Sequence, residues 1–272
     1  MYSRRKFLAT AGAFAVRNAL ATEPNKPVCK VTAKKGLAGA ALQHSGLRTS
    51  WYYNWGLRPS VKELPSTDAS IRFVPMLWGW KSKSEVALDG LRAEHPAILF
   101  GFNEPDHTDQ ANLTVETALA AWPKVEGIAG DLVSPSCAQP HREWMQQFFE
   151  EAEKQHLHFD SIGFHHYGPP ESDDFIGLLE KVYNMYKLPI WVTEFAAADW
   201  QAKIGGPVNR YSEKQTIRFI QAVCPFMEKT PWVRGYAWYP WGDSWEGGPL
   251  STSAFFRKDS TLTESGEAYA AI

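Results

Sequence analysis

"AILFGFNEPDH", residues 97–107, decides the fold. Its first half is apolar and reads as a strand buried on both faces. It then stops without a turn and places Asn103, Glu104 and Pro105 in a row. A strand that ends on an amide and a carboxylate delivers them to the rim of a sheet or barrel. The same rhythm recurs in both directions along the chain. Further runs are "TSWYYNW" (49–55), "RFVPMLWGW" (72–80), "DLVSPS" (131–136), "SIGFHHYG" (161–168), "LPIWVTEFA" (188–196) and "VRGYAWYPW" (233–241). Each ends in polar or aromatic residues. In an open doubly wound sheet, ligand residues gather at one switch point. In a barrel every strand end feeds one mouth. The pattern therefore predicts an α/β protein, a (β/α)8 TIM-type barrel, in a single catalytic domain over residues 36–272. Seven strands are readable; the eighth β/α unit is either degenerate or unmarked by the pattern, and is expected before "GFNEP".

The stretches between the runs have helical periodicity. In "REWMQQFFEEAEKQ", Trp144, Phe148 and Ala152 fall at i, i+4 and i+8, with Met145 and Phe149 beside them. "SDDFIGLLEKVYNMYK" starts with Ser172 as an N-cap and acids behind it. "SEKQTIRFIQAVCPFMEK" follows the same logic, with Pro225 expected to bend or end the helix. "LTVETALAAWPKVEGIAG" places Thr114 ahead of its first turn.

The 272 residues are 44% hydrophobic and carry a formal net charge of -2, which argues against nucleic acid or an anionic membrane surface as partner. Twelve tryptophans are more than a core of this size needs, so some are expected to line an exposed groove. At the N-terminus, "SRRKFLATAGAFAV" pairs Arg4 with Arg5 ahead of a short apolar run, and Ala19-Leu20-Ala21 gives a small-x-small cleavage pattern. This predicts a twin-arginine export signal over residues 1–21, followed by a linker over 22–35. The apolar run is well short of the roughly 20 residues a membrane span needs. Cys29, Cys137 and Cys224 show no C-x-x-C spacing and leave at least one thiol free.

Two glutamates carry the chemistry. Glu104 closes "AILFGFNEP" and Glu194 closes "LPIWVTEFA", 90 residues apart in sequence (194 minus 104). In a parallel barrel both strand ends lie on one face, so the two carboxyls can meet across a cleft. Paired carboxyls are the recurring machinery of glycoside hydrolysis: one protonated to serve the leaving oxygen, the other ionised to attack the anomeric carbon. The structural alternative is a helix cap or an ion pair with Arg. Asn103 could hold a sugar 2-hydroxyl, or could simply turn the chain before Pro105. In "FHHYG", His165 and Tyr167 share one side of a strand, and His166 points the other way or into the loop. Tyr167 could keep Glu194 ionised and aimed. A metal bound by the adjacent histidines is disfavoured, because neighbouring side chains on a strand diverge and no third ligand is evident. Tyr53, Trp55, Trp78, Trp80, Trp238, Tyr239 and Trp241 stand at strand ends, where flat rings could stack on sugar faces or else fill the core. Trp245 and Glu246 in "WGDSWEGG" either wall a groove or sit on a surface loop.

"YNW", "VPMLWG", "GFNEPD", "FHHYG", "PIWVTEFA" and "YAWYPW", in that order, resemble glycoside hydrolase family 128, the β-1,3-glucanases that share the glycosyl hydrolase catalytic core domain. The resemblance covers residues 36–272. It implies a retaining endo-β-1,3-glucanase, with Glu104 closing the fourth strand as acid/base and Glu194 closing the seventh as nucleophile. From their residue types and strand-end positions, Asn103, Tyr53, Trp55, Trp78, His165, Tyr167, Trp238 and Trp241 are the expected substrate contacts. The resemblance implies a β-1,3-glucan partner; the two-carboxyl chemistry needs no cofactor or metal, and a monomer is expected. His166 departs from the family, which often has Trp there, and that removes the expectation of a sugar contact at this position. The alternatives are an exo-acting β-1,3-glucanase, a β-1,4-glucanase, a mannanase, or a silent β-glucan-binding protein.

Overall fold

Each apolar run forms a strand in the computed structural model, which describes residues 32–39, 44–60, 71–240 and 247–272. The expected export signal, Cys29, Trp241, Trp245 and Glu246 lie outside the described residues. The strands are β1 (Lys35–Ala38), β2 (Trp51–Tyr53), β3 (Arg72–Phe73), β4 (Ile98–Phe100), β5 (Asp131–Cys137), β6 (Ser161–Gly168), β7 (Ile190–Ala197) and β8 (Val233–Trp238). They form one parallel sheet in the order β3-β2-β1-β8-β7-β6-β5-β4. The two ends of that order meet. Phe100 N–H donates to Pro75 O at 3.0 Å, Leu77 N–H to Phe100 O at 2.9 Å and Asn103 N–H to Trp78 O at 2.9 Å. These bonds close the (β/α)8 barrel through the segment that follows β3.

The strand that escaped the sequence pattern is β1. "KGLA" lies across the expected linker boundary, and all four of its residues are buried. It has no β-branched or aromatic residue to mark it, because its neighbour leaves no room for one. A Cβ on Gly36 would fall 2.2 Å from the Trp51 ring. Lys34, also placed in the linker, belongs to the barrel. Its Nζ donates to the carbonyls of Met227, Glu228 and Thr230 at 3.0, 3.0 and 2.8 Å, where a helix C-terminus attracts a cation.

Inside the barrel, Trp51, Tyr53, Phe100 and Trp191 pack as a plug beneath the mouth. Trp51 meets Phe100 and Trp191 edge to face, with centroids 5.7 and 5.3 Å apart. Outside it lie α1 (His44–Leu47), α2 (Ser84–Glu94), α3 (Val115–Ala121), α4 (Glu143–Lys154), α5 (Ser172–Tyr186), α6 (Glu213–Lys229) and α7 (Glu264–Ala270). The apolar stripe of α4 buries Met145, Phe148 and Ala152. Thr114 caps α3, and Ser212 forms a reciprocal capping box with Gln215 on α6. Two expectations change here. Glu171, not Ser172, occupies the cap position of α5, because the helix enters one residue earlier after Pro169 and Pro170. Pro225 lies within α6 rather than ending it, since the buried face from Phe219 through Met227 continues across it.

Candidate active site

Glu104 is delivered by a loop bolted to its neighbour. Its N–H donates to Ser136 O at 2.8 Å. Two residues on, the Asp106 carboxylate accepts from the N–H groups of Ala138 and Gln139, both at 2.9 Å. The bolt is needed because Glu104 has φ +40°, a left-handed backbone that costs a side-chain-bearing residue about 1–3 kcal/mol. Hydrogen bonds to a charged group, each worth roughly 1.5–3 kcal/mol, offset that strain.

Glu194 sits in β7 opposite His165 of β6. The ladder shifts register on both sides of it, between Phe164 and His165 and between Val192 and Phe195. Such irregularities re-aim side chains at barrel rims. Its carboxylate is nearly buried and accepts three donors: Tyr53 O–H at 2.6 Å, Trp55 Nε1–H at 2.8 Å and Tyr167 O–H. Burial, then the Glu194 charge, pushes both phenols well above their ordinary range, so they remain donors. Three donors converging on one carboxylate fix its position and aim.

His165 lies between the two glutamates with its side chain fully buried. Nδ1 is 3.0 Å from Glu104 Oε1, and Nε2 is 3.6 Å from Glu194 Oε1. One oxygen of each carboxyl and one ring nitrogen all lie within 4.8 Å of one another. Burial disfavours a charged ring, but Glu194, Glu104 and Asp106 outweigh it and raise the imidazole above its ordinary value. Burial likewise pushes the Glu104 carboxyl up, while the His165 hydrogen bond and charge, with His107 behind, bring it below its ordinary value. Nδ1 is hydrogen-bonded to Glu104, while Nε2, buried and without a hydrogen-bond partner, stands beside Glu194. Asn103 is buried; its Nδ2–H donates to Gln110 Oε1 at 3.1 Å, and its Oδ1 has no protein partner.

Above these groups opens a cleft of about 690 Å³, lined by Trp55, Trp78, Asn103, Glu104, Gln110, Tyr167, Glu194, Trp200, Tyr239 and Leu250 among others. Most residues singled out from the sequence converge here, and the rest go elsewhere for physical reasons. Trp238 is fully buried outside the barrel, stacked on Phe255 at 5.1 Å with its indole N–H on Ser253 O. Strand alternation turns it away and leads Tyr239, one residue on, to the cleft. His165 lies beneath the glutamates instead of facing the cleft. His166 points outward against Phe175, and burial lowers its imidazole to about 4. Sequence reasoning passed over Gln110, His107 and Trp200, which lie in loops where no periodicity operates. Trp200 follows Glu194 by a few residues, and its indole donates to Tyr167 O at 3.2 Å. Cys137 and Cys224 are buried free thiols.

A family model described as glycosyl hydrolase catalytic core matches residues 31–269. Alkali-sensitive linkage protein 1 of Schizosaccharomyces pombe is 27% identical over 256 residues; the match covers 88% of this chain and only 44% of that protein. A crystal structure of a subgroup I family 128 endo-β-1,3-glucanase from Amycolatopsis mediterranei, in complex with laminaritriose, superimposes with a TM-score of 0.73. It is 29% identical, and the match covers 88% of this chain and 99% of that one. Variants of that enzyme with either of two glutamates replaced by alanine hold laminari-oligosaccharides. A subgroup VII family 128 oligosaccharide-binding protein from Trichoderma gamsii superimposes with a TM-score of 0.67 at 26% identity, covering 92% of this chain and 96% of that one.

Proposed function

This chain belongs to the glycosyl hydrolase catalytic core family, the family 128 glycoside hydrolases, and from that premise we propose that it is a retaining endo-β-1,3-glucanase. The observation that carries the reading is the separation of the glutamates. One oxygen of each carboxyl lies within 4.8 Å of the other, nearer the roughly 5–5.5 Å spacing of retaining pairs than the roughly 6.5–9.5 Å of inverting ones, which fits a double displacement. Glu194, ionised and held by three donors, attacks the anomeric carbon while Glu104 protonates the glycosidic oxygen. The bond to the leaving sugar breaks and an ester to Glu194 forms. Glu104, now a carboxylate, takes a proton from water as that water attacks the ester carbon. Asn103 Oδ1, buried and unpartnered, suits a sugar 2-hydroxyl, whose hydrogen bond strengthens in the transition state. Trp55, Trp78, Trp200 and Tyr239 supply flat faces for sugar rings. The β-1,3 linkage and internal cleavage are supported by the Amycolatopsis mediterranei enzyme and its laminari-oligosaccharide complexes. Export through the expected twin-arginine signal fits a polymer too large to enter a cell.

The Trichoderma gamsii relative supports a second reading, binding without turnover. Both glutamates, with the donors that hold them, stand against it in this chain. The test is the product profile of residues 22–272 on laminarin beside Glu104→Gln and Glu194→Gln. An oligosaccharide ladder lost in both variants supports the endo-glucanase. Glucose or a single short product supports exo action. Cleavage of carboxymethylcellulose but not laminarin rejects the linkage. Binding without product supports the second reading.

A further inference from the structure

The imidazole of His165 is buried between the two glutamates, and the double displacement leaves it without a part. Its two nitrogens face the two glutamates, Nδ1 at 3.0 Å from Glu104 and Nε2 at 3.6 Å from Glu194. With both glutamates ionised, either neutral tautomer would turn one lone pair toward a carboxylate in a buried site. Only the doubly protonated ring presents N–H to both. We propose that His165 is a stationary imidazolium counter-ion shared by the two glutamates, serving Glu194 while that carboxylate is ionised and Glu104 once Glu194 has become an ester.

The charge count supports this assignment, which rests on the retaining mechanism above. In the protonation state that reacts, Glu104 carries the proton it will give to the leaving oxygen, His165 is positive and Glu194 is negative, so the three sum to zero. After attack, Glu104 has given its proton to the leaving oxygen and is negative, His165 is positive, and Glu194 is a neutral ester. The sum is again zero. The negative charge crosses from one glutamate to the other while the cation between them stays in place. No step leaves an uncompensated buried charge, whose solvation cost would otherwise enter the barrier. His165 is a positioning residue, because it acts through the glutamates.

The groups facing the ring are few. Glu104 and Asp106 approach from the end of β4 and its loop, and Glu194 approaches from β7. His107 acts on Glu104 from the cleft rim. Tyr53, Tyr167 and Tyr239 are phenols held neutral by burial. Glu194, Glu104 and Asp106 all favour the cation.

The direct test is the ¹⁵N resonances of His165 in the intact, substrate-free protein from pH 6 to pH 8, repeated after trapping with a 2-deoxy-2-fluoro laminaribioside. Both nitrogens protonated in both states is the expected result; a neutral tautomer in either state overturns the proposal. The second arm is the kcat/KM profile of His165→Gln on laminarin. Loss of the cation makes the Glu104 carboxyl easier to protonate, so the alkaline limb should move to higher pH. Lower turnover with that limb unmoved would mean a purely structural role. If the variant does not fold, the resonances of the unaltered protein decide alone. Failure of the unaltered protein to cleave laminarin would reject the glucanase reading, whereas the charge on His165 is read without turnover.

Discussion

Glu194 concentrates the chemistry at the residue scale. Tyr53, Trp55 and Tyr167 reach it from β2, the loop after β2 and β6, so its orientation is set by three independent parts of the chain. Each phenol bond is charge-assisted and worth roughly 1.5–3 kcal/mol. Tyr53→Phe and Tyr167→Phe should each lower kcat on laminarin about ten- to a hundredfold with a smaller change in KM. An unchanged kcat in both would show that the cradle does not matter. Glu194→Ala should regain turnover with azide and yield a glycosyl azide of inverted configuration, because azide occupies the vacated face. Glu104→Ala should instead retain activity on substrates with good leaving groups. Reversed behaviour would exchange the two roles. Glu104 and Glu194 were legible because each ends an apolar run. His165 was legible as a neighbour of Tyr167 on one strand face, but not as a link between the acids, since that contact joins residues 61 apart in sequence.

At the scale of elements, hydrophobic runs read well wherever the side chains mark themselves. Seven strands did so. β1 did not, because its role is to make room: Gly36 lies against Trp51, as Gly235 of β8 lies against Trp191. Gly36→Ala and Gly235→Ala should each destabilise by about 1–3 kcal/mol, the usual cost of overpacking a core, read as a lower denaturation midpoint with the cleft chemistry intact. The loop after β7 is the other element that sequence pattern could not place. Asp199, its side chain buried, accepts from Arg210 through N–H, Nε–H and a terminal N–H, and this clamp holds the loop that carries Trp200. Asp199→Asn should raise KM several-fold with little change in kcat, if Trp200 binds sugar and takes no part in bond breaking. A fall in kcat alone would place the loop in the chemistry.

Across the whole molecule, the barrel brings distant strand ends to one mouth, and the charges gathered there leave a mark on stability. Glu104 has a lowered folded value, so its contribution is present above its unfolded value near pH 4.3 and is lost as pH falls through the folded one. His165 has a raised folded value, so its contribution is complete below about pH 6.5 and is lost as pH rises through the folded one. The pair therefore stabilises most between about pH 4.3 and 6.5. The Tm difference between the unaltered protein and His165→Gln should be largest there and shrink on the alkaline side; a difference independent of pH would contradict the ion pair.

The most direct test of the account is the configuration of the first product, followed by proton NMR as the purified protein cleaves a laminari-oligosaccharide. The β-anomer appearing first, with the α-anomer growing in by mutarotation, is the predicted result. The α-anomer first would mean inversion, and would contradict the assignment of Glu194 as the nucleophile.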